Sequence, residues 1–161
     1  MVSAYGPLGL PELGWMMERF EPAVLIVDDD DAVRRTLVEL VASRGYQVVE
    51  AADGDQAWAR LLNEPADVVV SDLQMPHCDG RELCRRIRGE PSLRDIRVVI
   101  VSGGLDLPDA QELRCDSVLR KPISVRTLLR EIERAPVSAA RQSDQRTAFS
   151  GVPSRRGTAS A

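Results

Sequence analysis

The sequence predicts an α/β fold, a doubly wound five-stranded parallel sheet with helices on both faces. Three observations carry this. Short apolar runs rich in Val and Ile alternate with segments whose apolar residues recur at helical spacing. Five such βα units fit between residues 22 and 136. Aromatic residues make up only 4 % of the chain against 43 % hydrophobic residues, so the core must be Val, Leu, Ile and Ala, which suits a sheet covered by helices.

The elements follow in order. Residues 24–27 form an apolar run that ends in acids, as a buried parallel strand does. A helix over 32–43 places Val33, Leu37, Leu40 and Val41 on one face, with Asp30 or Asp31 as its cap and Gly45 closing it. Residues 47–51 read as the second strand. The second helix, 54–63, turns Ala57, Leu61 and Leu62 inward. The third strand is 66–71, with a pure Val run at its centre. The third helix, 80–88, turns Leu83, Cys84 and Ile87 inward. The fourth strand is 96–101. The fourth helix is shortened, within 106–114, and Pro108 suits its first turn. A brief fifth strand, 118–119, precedes a last helix capped by Ser124 and running to 134, with Leu128, Leu129 and Ile132 inward.

A chain of 161 residues supports one compact domain with tails. Residues 1–21, with Pro7 and Pro11 ahead of Pro22, read as an N-terminal arm on which Trp15 is available to dock. Residues 137–161, rich in Ser, Ala, Arg and Gly, read as a disordered tail. That tail holds four Arg and one Asp, a charge of +3, so the rest carries −7 of a net −4. The acidic balance argues against nucleic acid and for cations or basic partners. No apolar run reaches the length of a membrane span, and no secretion signal opens the chain. Cys78, Cys84 and Cys115 are an odd set without metal or redox spacing, which reads as free thiols in a reducing cytoplasm.

Active groups of such sheets lie at the carboxyl ends of the strands. The first strand ends in Asp28-Asp29-Asp30-Asp31. Capping explains one or two of these acids but not Asp28 and Asp29, whose carboxylates suit a hard cation. The third strand ends in Ser71-Asp72, and a carboxylate at Asp72 can act as a nucleophile toward phosphorus. The fourth ends in Ser102-Gly103-Gly104, a hydroxyl and a bare N–H able to bind a phosphoryl oxygen. The fifth ends in Arg120-Lys121-Pro122, where Lys121 can reach the acids and Pro122 can take a cis bond. Each feature alone is ordinary loop chemistry. Their ordered placement at the ends of strands one, three, four and five is not.

The stretches VLIVDDDDAVRRTL (24–37), VVVSDLQMPHCDGRELCRRIR (68–88), IRVVIVSGG (96–104) and VLRKPI (118–123) resemble the receiver domains of two-component response regulators. The string Asp-X-X-Met-Pro-X-X-Asp-Gly at 72–80 is the most specific piece. The resemblance implies a flavodoxin-like (βα)5 receiver fold of the single-domain type. It implies that Asp72 is the phosphoacceptor and that Mg²⁺ (or Mn²⁺) binds Asp29 directly, Asp28 through water, Asp72 and the backbone carbonyl of Gln74. It implies that Ser102 is the switch hydroxyl and that Lys121 pairs with the phosphoryl group. The implied donor is a sensor histidine kinase or phosphotransfer protein, and the implied reader is a separate output protein. Such a domain catalyses only its own phosphorylation and dephosphorylation. A homodimer through the fourth helix, fifth strand and fifth helix is a further route the resemblance implies.

The chain departs from the family pattern in places. Val118 stands where the family has an aromatic switch residue. The stretch between Ser102 and Lys121 is short, which alters the family's output face. Gln74 and Gly104 occupy positions that tune water's access to the acyl phosphate. His77 and Cys78 read as loop residues, with a modulating role as the sharper option, and Trp58 reads as packing. Two other functions compete. A phosphorylation-independent docking module fits Val118 and the short helix. A haloacid-dehalogenase-like phosphatase fits Asp29-X-Asp31-X-Val33, but leaves Asp72 without a role and lacks a later acidic pair.

Overall fold

The computed structural model describes residues 22–64 and 66–136. Ten elements alternate: β1 (Ala23–Val27), α1 (Asp31–Ala42), β2 (Gln47–Ala51), α2 (Gly54–Asn63), β3 (Val68–Asp72), α3 (Gly80–Gly89), β4 (Arg97–Ser102), α4 (Ala110–Leu113), β5 (Ser117–Arg120) and α5 (Val125–Glu133). The five strands form one sheet in the order β2-β1-β3-β4-β5. Every neighbouring pair is parallel. The order reverses at β1, so the crevice lies at the carboxyl ends of β1 and β3. The arms expected at 1–21 and 137–161 lie outside the described residues.

Alternation along each strand divides the core in two. Leu25, Val27, Val69, Val98 and Ile100 face Ala57 and Leu61 of α2, Leu83, Cys84 and Ile87 of α3, and Leu113 of α4. Val24, Ile26, Val68, Val70, Val99 and Val101 face Leu37 and Val41 of α1 and Leu128 and Ile132 of α5. Each fully buried side chain of this size contributes about 1.5–3 kcal/mol. Trp58 packs against the first cluster, as the sequence suggested.

All five helices start on a side-chain cap. Asp30 accepts from the N–H groups of Ala32 and Val33, Asp53 from Gln56, Asp79 from Glu82, Asp109 from Gln111 and Ser124 from Thr127. Gly45, at φ 92°, donates to the Ala42 carbonyl just past α1.

Three expectations need correction. Leu62 is 56 % exposed, because one residue on from buried Leu61 the helix has turned by about 100°. Pro108 is not in the first turn of α4, since Asp109 takes the cap and the helix starts at Ala110. Both β3 and β4 run one residue past their apolar runs, because Asp72 pairs with Val101 and Ser102 with Arg120.

Two polar groups are buried at the far side of the sheet from the crevice. Asp67 accepts the Ala23 N–H at 2.8 Å and tethers the start of β1. Glu131 of α5 is buried and pairs with Arg97 of β4 and Arg134. Among the described residues no helix is long and apolar enough to cross a membrane.

All three cysteines are free thiols. Burial pushes the Cys84 thiol up to about 12, and raises Cys78 and Cys115 from their ordinary value. Alkylation follows the thiolate. Iodoacetamide at about pH 8 is therefore expected to leave Cys84 unmodified in the native protein and to modify it in denaturant, read by peptide mass. Fast native labelling of Cys84 would contradict the packing of α3.

Candidate functional site

The crevice gathers side chains that are far apart in sequence. Asp28 follows β1 directly, and its carboxylate is turned into the protein. Its Oδ1 accepts from the Asp30 N–H at 2.9 Å, which fixes the carboxylate over the turn into α1. Asp72 closes β3 and is also buried. Its Oδ2 accepts the Gln74 N–H at 3.1 Å. Lys121, just past β5, reaches both acids. Its Nζ lies 2.9 Å from Asp72 Oδ1 and 3.2 Å from Asp28 Oδ2. One ammonium thus bridges two buried carboxylates contributed by different strands.

The electrostatics follow from that arrangement. Burial pushes the Asp72 carboxyl above its ordinary value of 3.8, against the pull of Lys121. Burial works against the Lys121 ammonium as well, but Asp72 and Asp28 hold its pKa above the ordinary value of 10.5. The pair is therefore a charged lysine beside a desolvated, electron-rich carboxylate.

The motif around Asp72 has a structural account. Met75 is buried in the first core cluster. Asp79 caps α3. Gly80 passes so close beneath Asp72 that a Cβ there would stand 2.4 Å from the Asp72 carbonyl oxygen and 3.0 Å from Leu73 Cα. Gly80→Ala is expected to cost about 1–3 kcal/mol in a urea unfolding experiment, because backbone must move to admit the methyl. An unchanged midpoint would contradict this packing. His77 between them is exposed and sits at φ 66°, an uncommon region for a side-chain-bearing residue.

The remaining expected residues are placed as follows. Asp29 is exposed at the rim, beside buried Asp28. Gln74 is exposed, and its backbone N–H is committed to Asp72. Ser102 ends β4 and is buried, with its hydroxyl oxygen accepting the Gly104 N–H at 3.3 Å. Its carbonyl accepts the Lys121 N–H at 2.9 Å, which ties the serine strand to the lysine strand. The Lys121–Pro122 bond is cis. Val118 is partly buried against the first core cluster.

Two arginines were not anticipated as part of this site. Arg34 of α1 donates to the Asp28 carbonyl at 2.8 Å and to Glu50 Oε2 at 3.1 Å, tying α1 and β2 to the end of β1. Arg120 donates to the carbonyls of Gly104 and Leu105, each at 2.9 Å, and holds the loop after β4. Both act on backbone oxygens, which no side-chain pattern in the sequence announces.

The site suits magnesium by its donor chemistry. Among the described residues no three His, Cys, Asp or Glu side chains form a ready-made metal cage. Magnesium does not need one, since it keeps several waters and takes one or two carboxylates. Asp28 and Asp72, converged on one ammonium and supplying only oxygen, meet that requirement.

Comparison with known proteins agrees with this fold. A family model described as "Response regulator receiver domain" matches residues 24–133. The chain is 34 % identical over 120 residues to the response regulator receiver protein CpdR of Brucella abortus, covering 72 % of this chain and 98 % of that one. It is 30 % identical over 131 residues to the transcriptional regulatory protein AfsQ1 of Streptomyces coelicolor, covering 81 % of this chain but 58 % of that longer one. Among solved structures, the chemotaxis protein CheY4 of Vibrio cholerae superposes with a TM-score of 0.66 at 28 % identity, over 71 % of this chain and 98 % of that one. A response regulator receiver protein from Pseudomonas putida gives a TM-score of 0.64 at 30 % identity, over 70 % and 96 %. With the receiver-domain family model matching residues 24–133, nearly all of the described residues, and with Asp28, Asp72 and Lys121 converging at the β1–β3 crevice of its sheet, the chain belongs to the response-regulator receiver-domain family.

Proposed function

We propose that Asp72 accepts a phosphoryl group from a phosphohistidine on a sensor kinase or phosphotransfer protein, and that the changed surface is read by a partner protein. The observation that carries this is the shared ammonium: a buried carboxylate at the end of β3 lies 2.9 Å from Lys121 Nζ, which also lies 3.2 Å from Asp28. A carboxylate placed so is a nucleophile beside a cation able to follow the phosphoryl charge.

The step balances simply. An Asp72 carboxylate oxygen forms a bond to phosphorus. The P–N bond to imidazole breaks, and the imidazole leaves with a proton, so an acyl phosphate replaces a phosphoramidate. Lys121 pairs with the anionic oxygens that arrive. The Ser102 hydroxyl, now held by Gly104, turns to donate to one of them. Asp28, Asp29, Asp72 and the Gln74 carbonyl would hold Mg²⁺, which neutralises the acids and the phosphoryl oxygens when bound. In this reading the chain turns over no external substrate beyond its own phosphorylation and dephosphorylation. The three free thiols accord with a reducing cytoplasm.

The haloacid-dehalogenase reading is set aside, since the family match is to receivers. A docking role independent of phosphate draws on Val118 and on a four-residue α4. The intact set of acids and lysine favours the phosphorylated form of signalling.

The test uses acetyl phosphate with Mg²⁺ and the intact mass of the protein. Wild type is expected to gain one phosphoryl group, lost when EDTA is present. Asp72→Asn is expected to gain none, because the amide is not a nucleophile of this kind. Equal labelling of the two proteins would sink the assignment of Asp72.

A further inference from the structure

A groove of about 460 Å³ lies on the side of the domain away from α3 and α4. Arg44, just past α1, forms one wall, and Val125, Arg126, Leu129, Arg130 and Glu133 of α5 form the other. Its arginines differ from most of the arginines on the surface. Arg34, Arg81, Arg85, Arg86, Arg88, Arg97 and Arg134 all pair with carboxylates. Among the described residues, no carboxylate lies within ion-pair distance of Arg44, Arg126 or Arg130. Three unmatched cations converge on one groove, in a domain where acidic residues outnumber basic ones. The floor is apolar: Val125 is 38 % exposed and Leu129 is partly buried.

We propose that this groove docks an acidic segment of a partner protein, with carboxylates on the three arginines and an apolar side chain against Val125 and Leu129. The charge pattern selects the partner. Guanidinium forks match carboxylates in pairs. The apolar floor adds a contact that a bare polyanion does not use. A nucleic acid is disfavoured, since Glu133 sits at the groove and the surrounding domain is acidic, so an extended phosphate backbone meets repulsion on either side. The groove touches none of Asp28, Asp72 and Lys121, so docking is separable from phosphorylation.

The probe is a short fluorescein-labelled peptide rich in Glu and containing Leu, followed by anisotropy against the full chain. Controls are the same peptide with Gln for Glu, the peptide with Ser for Leu, and a single-stranded oligonucleotide. Arg126→Glu/Arg130→Glu is expected to weaken binding of the Glu/Leu peptide at least about tenfold, since two attractions become repulsions. Arg114→Glu changes another exposed arginine, just past α4 and outside the groove, and is expected to leave binding unchanged. Both variants are expected to keep the wild-type circular dichroism and the wild-type gain of mass with acetyl phosphate, which rules out misfolding. Absence of peptide binding, equal weakening by Arg114→Glu, undiminished binding of the Gln or Ser peptide, or equal affinity for the oligonucleotide would each overturn the proposal.

Discussion

Lys121→Met is expected to slow phosphorylation of Asp72 by about 10²–10³-fold, the usual effect of removing one fixed charge from a site that stabilises a developing anion. The geometry explains the size. Nζ sits 2.9 Å from the nucleophile and 3.2 Å from the neighbouring acid, so the methionine removes the cation from both at once. Two buried carboxylates then face each other without it, and an incoming phosphoryl group meets more negative charge. Lys121→Arg is not expected to restore the rate, because a planar guanidinium cannot occupy the point position of an ammonium between Asp28 and Asp72. The check is the time course of the mass gain with acetyl phosphate and Mg²⁺, with circular dichroism to confirm folding. A rate within about threefold of wild type would remove Lys121 from the mechanism, since about 10² or more is the loss expected for such a group.

Glu131→Ala is expected to cost about 3 kcal/mol of stability, at the low end of the range for breaking a buried ion pair. Glu131 is buried on α5, and the Arg97 side chain it meets is only 16 % exposed. Removing the acid strands the guanidinium at the base of β4, where water reaches it poorly. The double change Arg97→Met/Glu131→Leu is expected to recover most of the loss, because apolar residues of similar volume can replace a buried pair. Urea midpoints measure both. A single variant within 0.5 kcal/mol of wild type, the range of ordinary surface substitutions, would show that the pair contributes little.

The same acid fixes a pH dependence. Burial would raise the Glu131 carboxyl, but Arg97 and Arg134 hold it below its ordinary value of 4.5. A depressed folded pKa adds stability above the unfolded value, and that stability is lost as pH falls through the folded one. Wild type is therefore expected to lose stability below about pH 4.5 more steeply than Glu131→Gln, which has no such proton to take up.

Much of this was legible in the sequence. The bounds of β2 and α2 and the cap at Ser124 were readable, because apolar spacing and a capping side chain are local signals. The strand ends were less so. Asp72 and Ser102 look like loop residues after an apolar run, yet the parallel ladder carries both into the sheet. The fourth helix shrank to four residues because Asp109, not the turn at Pro108, supplied its start. The bridge between Lys121 and Asp28 spans 93 positions and has no local signature at all. Only the strand order, inferred from the alternation of elements, brought the two ends together. Arg34 and Arg120 escaped notice because the contacts by which they brace the strand ends, to Asp28, Gly104 and Leu105, are to backbone carbonyls. The groove arginines escaped because unpaired cations on or beside a helix read as ordinary solvated surface until their lack of partners is seen.

The most direct measurement is the position of the phosphoryl group. Protein treated with acetyl phosphate and Mg²⁺ is reduced with borohydride, which converts an acyl phosphate of aspartate to homoserine, and then digested and sequenced by mass spectrometry. The account requires homoserine at position 72 and unmodified aspartate at 28 and 29. Homoserine at another acid, or a phosphoryl group that borohydride does not reduce, would contradict it.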